Sequence, residues 1–143
     1  TTDGSNFETV AELNAPARNA AVAIVGETAW VVGGEWDLAL LTAVQRVELA
    51  TGTVTGVANL GTPLNRAVAF SLGGAVFVAG GRSGDSRTAT IMRINPIDNT
   101  FTDVGKLPKA LSDAAVAVIG DTAYVVGGAT PTASAAVVAV TAA

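Results

Sequence analysis

Three stretches of this chain say nearly the same thing. Residues 20–34 read AAVAIVGETAWVVGG, residues 67–81 read AVAFSLGGAVFVAGG and residues 114–128 read AAVAVIGDTAYVVGG. Gly33, Gly80 and Gly127 are spaced 47 residues apart, and the 143-residue chain is three such periods plus two residues. Further columns obey the same period: Phe7, Val54 and Phe101; Val10, Val57 and Val104; Leu13, Leu60 and Leu107. A repeat of this length dictates one structural unit copied and stacked, and it must be read before any single motif. The alignment needs no gap.

Each period resolves into strands. AVAIV (21–25) is short, apolar and β-branched, and Gly26-Glu27 separates it from TAWVV. Glycine at the first of two central positions is the mark of a type II′ hairpin turn. Gly73-Gly74 and Gly120-Asp121 repeat it. After each Gly-Gly pair a polar, variable loop is expected. A third strand follows at AVQRVEL (43–49) and TIMRIN (90–95), and a fourth at VTGV (54–57) and FTDV (101–104). No window carries a sustained 3.6-residue apolar period, which argues against helices. Four short strands in 47 residues predict an all-β chain of propeller blades, with periods at 1–47, 48–94 and 95–141 in a single domain.

This pattern resembles the Kelch repeat, in which an apolar strand, a tight turn and a second strand ending in Gly-Gly precede an aromatic near the fourth strand. Arg18 stands where many Kelch repeats carry an arginine before the first strand. Phe7 and Phe101 take the place of the usual Trp, Val54 departs from it, and the usual strand-three Tyr is absent. The resemblance covers the whole chain. It implies three four-stranded Kelch-like blades.

Propellers close with about 4–8 blades, so three cannot close by themselves and two chains of three give a six-bladed ring. NFETV (6–10) aligns with fourth strands and ASAAVVAV (133–140) with third strands. The last blade therefore lacks a fourth strand, and the N-terminal strand is expected to complete the last blade of a partner chain. A fragment cut from a longer parent, or a half-ring excised or engineered as such, would have the same length.

The remaining counts exclude chemistry. There is no cysteine and no histidine, so disulfides, thiolate sites and histidine-based catalysis are absent from this chain. Net charge is −4 with no Lys/Arg cluster, which predicts no nucleic-acid or anionic-membrane partner. Half the residues are hydrophobic, yet no apolar run reaches the length of a membrane span, and no signal-peptide pattern is read; the compartment is left open. No cofactor and no metal site are predicted. DGSN (3–6) reads as a turn, since the later Glu of a calcium loop is missing, and GGRSGDSRT lacks the Gly-Lys-Ser/Thr of a phosphate loop.

In an up-and-down blade the 2–3 and 4–1 loops share one face. That face gathers Glu35, Trp36, Asp37, Arg82, Ser83, Asp85 and Arg87 with Arg18, Asn19, Asn65, Arg66, Ser112 and Asp113. The ligand-binding candidates are Trp36, Glu35, Arg18, Arg66, Arg82 and Arg87. Loops on a rigid scaffold are where function resides, and also where polar residues must go. Trp36 could stack on a sugar, anchor a protein, or cover the blade edge beside LALL (38–41). Trp30, Phe77 and Tyr124 share one column and read as packing between blades. Arg18 and Arg66 could hold an anion at the channel mouth, or pair with Glu35 or Asp113. The expected function is a non-catalytic binding and assembly scaffold that homodimerises and presents this face to a protein or a glycan. The alternative is a Kelch-type enzyme or lectin acting on sugars or sialic acids at the ring mouth.

Overall fold

A computed structural model describes residues 4–142. The described chain is all strand and turn, without a helix. Sheet 1 contains β1 (Ala21–Val25), β2 (Thr28–Val32), β5 (Ala43–Glu48) and β6 (Thr53–Asn59), hydrogen-bonded in that order. Sheet 2 repeats the order with β7 (Val68–Leu72), β8 (Ala75–Ala79), β11 (Thr90–Ile94) and β12 (Phe101–Lys106). Sheet 3 has three strands, β13 (Ala115–Ile119), β14 (Thr122–Val126) and β15 (Val137–Thr141). Every pairing is antiparallel.

The glycine turns do what their positions require. Val25 faces Thr28 and Ile119 faces Thr122, so each turn holds two residues. Gly26 and Gly120 adopt positive φ at the first turn position. In sheet 2 both Gly73 and Gly74 have positive φ, so this turn belongs to the I′ class rather than the expected II′. The 2–3 loops are also more ordered than a polar loop. Each of the first two folds into a small hairpin, β3 (Glu35–Trp36) with β4 (Ala39–Leu40) and β9 (Arg82–Ser83) with β10 (Ser86–Arg87).

The core lies between sheets. The first strands β1, β7 and β13 stand beside one another. Alternation along each strand sends one set of side chains to the next sheet and one to the previous sheet. Trp30, Val32 and Val44 meet Ala69, Val76, Val78 and Ile94 between sheets 1 and 2. Phe70, Leu72 and Phe77 meet Ala123 and Val125 between sheets 2 and 3. Phe70 and Phe77 lie opposite across the hairpin with ring centroids 5.6 Å apart. Leu60 and Leu107 cap the two junctions from the linkers.

Two expectations change at the ends. The third repeat is one residue shorter before its third strand, so the gapless alignment fails there. Val32 faces Val44 and Ala79 faces Ile91, whereas Val126 faces Val137, one position early in the period. The expected strand at 6–10 does not form within one chain: these residues pair with no edge, and Phe7 is 89% exposed. The segment behind it is held. Leu13 packs on Ala29, Val31 and Val47, and the buried Gln45 side chain clasps the Ala15 backbone, accepting from its N–H at 2.9 Å and donating to its carbonyl at 2.8 Å.

Candidate functional site

The linker entering each sheet bridges the residue after the Gly-Gly pair. Arg18 bridges Glu35, Asn65 bridges Arg82 and Ser112 bridges Ala129. The next residue along, Asn19, Arg66 or Asp113, has φ between +54° and +60° in each case. This left-handed turn aims two consecutive columns of polar side chains, Arg18, Asn65 and Ser112 and then Asn19, Arg66 and Asp113, at one mouth. Asn and Asp are the non-glycine types that enter this region most readily, and Arg66 is not one of them.

The side chains at the mouth are paired. Glu35 receives the Arg18 Nε at 3.0 Å, Asn19 Nδ2 at 2.6 Å and Asn65 Nδ2 at 2.9 Å. The Asn19 hydrogen bond leads in holding its carboxyl below the ordinary carboxylate range, against a smaller burial effect, with Asn65, Arg18 and Arg66 adding to it. Arg66 Nη1 donates to Asp113 Oδ1 at 2.8 Å across the junction of sheets 2 and 3. Asp113 also accepts from Ser112 Oγ at 2.6 Å, and that bond is the first cause of its lowered pKa; Arg66 adds to it. Arg87 reaches the same Ser112 hydroxyl at 3.1 Å. Arg66 is correspondingly raised, first by its hydrogen bond to Asp113. Both carboxylates are thus stabilised in the charged form. A general acid working near neutral pH needs the opposite shift.

The structure therefore draws Arg18, Glu35, Arg66 and Arg87 into the mouth with Asn19, Asn65, Ser112 and Asp113. Arg82 bridges Asn65 through its backbone; its side chain has a long contact of 3.9 Å to Asp85, and its charge also acts on Asp113. Trp36 is 57% exposed on the β3–β4 hairpin. It lines a shallow groove of about 500 Å³ with Pro16, Arg18, Glu35 and Leu38. Leu38 was not singled out by sequence. It sits at the hairpin tip, 88% exposed and with φ of +69°, a conformation that its residue type gives no reason to expect. Asn65 Oδ1, buried at the mouth, has no hydrogen-bond partner among the described residues.

Four-stranded antiparallel sheets, set side by side by their first strands and joined at their inner ends, are blades of a propeller-type β fold. Residues 63–108 match the Kelch motif, a span that runs from the linker before β7 to the end of sheet 2, and so corresponds to one blade. No curated protein matches the chain.

Proposed function

We propose that this chain is a binding and assembly scaffold whose three blades pair with those of a second copy to close a six-bladed ring, with the mouth and the Trp36 hairpins as its ligand face. One observation carries the assembly: positions buried between blades inside the chain are uncovered at its two ends. Trp30 and Phe77 are buried, and their counterpart Tyr124 is half-exposed. Beside it on the outer face of sheet 3, Val137 is 63% exposed and Ile119 is 71% exposed, while Leu72, the counterpart of Ile119, is buried. At the other end Val22 and Ile24 are exposed on sheet 1.

Contiguous apolar surface of this kind marks an interaction site. Covering about 1,000 Å² of it at each junction would contribute roughly 25 kcal/mol before entropy and strain costs. The ligand face rests on less: an exposed Trp beside paired arginines, and a buried amide oxygen at Asn65 that lacks a donor. A hydroxyl-bearing glycan or a peptide N–H would supply one.

The test is solution mass by light scattering across a dilution series. A persistent two-chain mass is expected. A stable, non-aggregating single chain would overturn the closed ring.

A further inference from the structure

We infer that the second copy docks head to tail in one fixed backbone register: its Phe7 lies opposite Val140, its Ala17 carbonyl accepts from Gly128 N–H, and its Asn19 N–H donates to the Asp113 carbonyl. This rests on the homodimeric reading above and specifies how its junctions are made.

The two junctions inside the chain are built alike. Between sheets 1 and 2, Gly34 N–H donates to Leu64 O at 2.7 Å and Arg66 N–H donates to Asn19 O at 2.9 Å. Between sheets 2 and 3, Gly81 N–H donates to Leu111 O at 2.8 Å and Asp113 N–H donates to Arg66 O at 3.0 Å. Stepping one period further reaches Gly128 N–H and Asp113 C=O on sheet 3. Stepping one period back reaches Ala17 C=O and Asn19 N–H on sheet 1. Among the described residues none of these four groups has a hydrogen-bond partner. Gly34 and Gly81 are buried, and Gly128 is only half-buried. One end of the arc thus offers a donor and an acceptor, and the other end the matching acceptor and donor. Such an interface is heterologous, and it makes a ring when the rotation closes.

The free edge of β15 specifies the rest. In sheet 1 Val47 faces Val54, and in sheet 2 Ile94 faces Phe101, with a bulge at the same place, between Val44 and Gln45 and between Ile91 and Met92. Carrying this pairing to sheet 3, with its one-residue shift, sets Phe7 opposite Val140, Glu8 opposite Ala139, Thr9 opposite Val138 and Ala11 opposite Val137. The grooves agree. At the junction of sheets 1 and 2 a groove of about 380 Å³ is walled on one side by Phe101 and Asp103 of the fourth strand. At sheet 3 a groove of about 420 Å³ lies among Pro108, Leu111, Ala136 and Val138, with no fourth strand beside it. Phe7 and Thr9 are the repeat counterparts of that wall. The chain's own segment cannot reach it while Leu13 and Ala15 are held on sheet 1, because sheet 2 stands between.

The chain has no cysteine, so an introduced pair reports on itself. The full chain carrying Glu8→Cys and Ala139→Cys is oxidised mildly beside a control with Glu8→Cys and Thr141→Cys, two residues out of register. The mass of each is measured before oxidation. The expected product is a covalent two-chain species, formed about tenfold faster than in the control, since directly opposite side chains are the close pair. A two-chain mass with equal cross-linking in both variants overturns the register and leaves the homodimer standing. A single-chain mass before oxidation overturns both. A disulfide within one chain overturns the exchange.

A second variant needs no cross-link. An added Cβ at Gly127 meets only Ser134 O, at 3.6 Å, within the chain. In the inferred junction the partner's Ala17 carbonyl would stand where Leu111 O stands for Gly80. Gly127→Ala should therefore weaken dimerisation about tenfold or more relative to Gly73→Ala, whose backbone is left-handed but open. Equal dimerisation constants for the two variants would overturn the inference.

Discussion

Gly80→Ala measures how closely neighbouring blades approach. Gly80 has φ of +65°, so any side chain there meets left-handed strain of about 1–2 kcal/mol. The added Cβ would also lie 2.6 Å from Leu111 O and 3.3 Å from Leu111 Cδ1. That carbonyl is not free to retreat, because Gly81 N–H holds it at 2.8 Å. Relieving the clash means lengthening this bond, at a cost of about 1–3 kcal/mol. Alanine returns about 0.5–1 kcal/mol by restricting the unfolded chain. The net loss is then about 1–4 kcal/mol. Gly73→Ala, in the I′ turn, is the control: φ is +55° and nothing lies within 4 Å of the added Cβ, so only strain remains and the net loss is about 1 kcal/mol or less. Equilibrium unfolding in urea separates them. With a slope of about 2 kcal/mol per molar, the midpoint should fall by about 0.5–2 M for Gly80→Ala and by about 0.5 M or less for Gly73→Ala. Equal shifts would refute the idea that backbone approach at the Gly-Gly pair locks one blade to the next.

Three other measurements probe separate parts of the chain. Glu35 and Asp113 ionise more readily folded than unfolded, so their contribution is complete above the ordinary carboxylate range and is lost as pH falls through their lowered values. The urea midpoint should decline with acid through that window, and Glu35→Gln with Asp113→Asn should flatten the decline; an unchanged slope would count against the pairing at the mouth. Gln45→Met places the residue found one period later, at Met92, and removes both bonds to Ala15, at a cost of about 1–2 kcal/mol. Limited proteolysis should then cut within residues 10–17 faster than in the parent, and equal rates would refute the clasp. Leu38→Gly relieves left-handed strain at an exposed tip and should stabilise the chain by up to about 1 kcal/mol in a thermal melt; a loss of stability would mean that the Leu38 side chain has a contact worth more than its strain.

Much of the frame could be read from residues because repetition tests every inference three times. The Gly-Gly pairs, the two-residue turns and the alternating apolar strands recur at one spacing, so the strands of sheets 1 and 2 fall close to where they were expected. The aromatic column was legible for the same reason: Trp30 and Phe77 occupy equivalent buried places. What escaped lacked such a signal. Two-residue strands in β3–β4 and β9–β10 are too short for any periodicity. The one-residue slip in sheet 3 is silent because AAVVAV is apolar in either register. Gln45 gives no hint of its clasp, since its counterparts are Met92 and, with the slip, Val138. At the mouth the polar residues could be listed from the sequence, but only the left-handed turn at Asn19, Arg66 and Asp113 explains why their side chains meet.

That turn has a wider consequence. Blade-to-blade register inside the chain is carried by peptide groups: Gly34 to Leu64, Arg66 to Asn19, and their equivalents. The side chains beside them differ in every copy, as Arg18, Asn65 and Ser112 in one column and as Asn19, Arg66 and Asp113 in the next. Geometry and chemistry are therefore written in different atoms. The rim can exchange its polar groups while their spacing is kept by peptide hydrogen bonds that those side chains do not make.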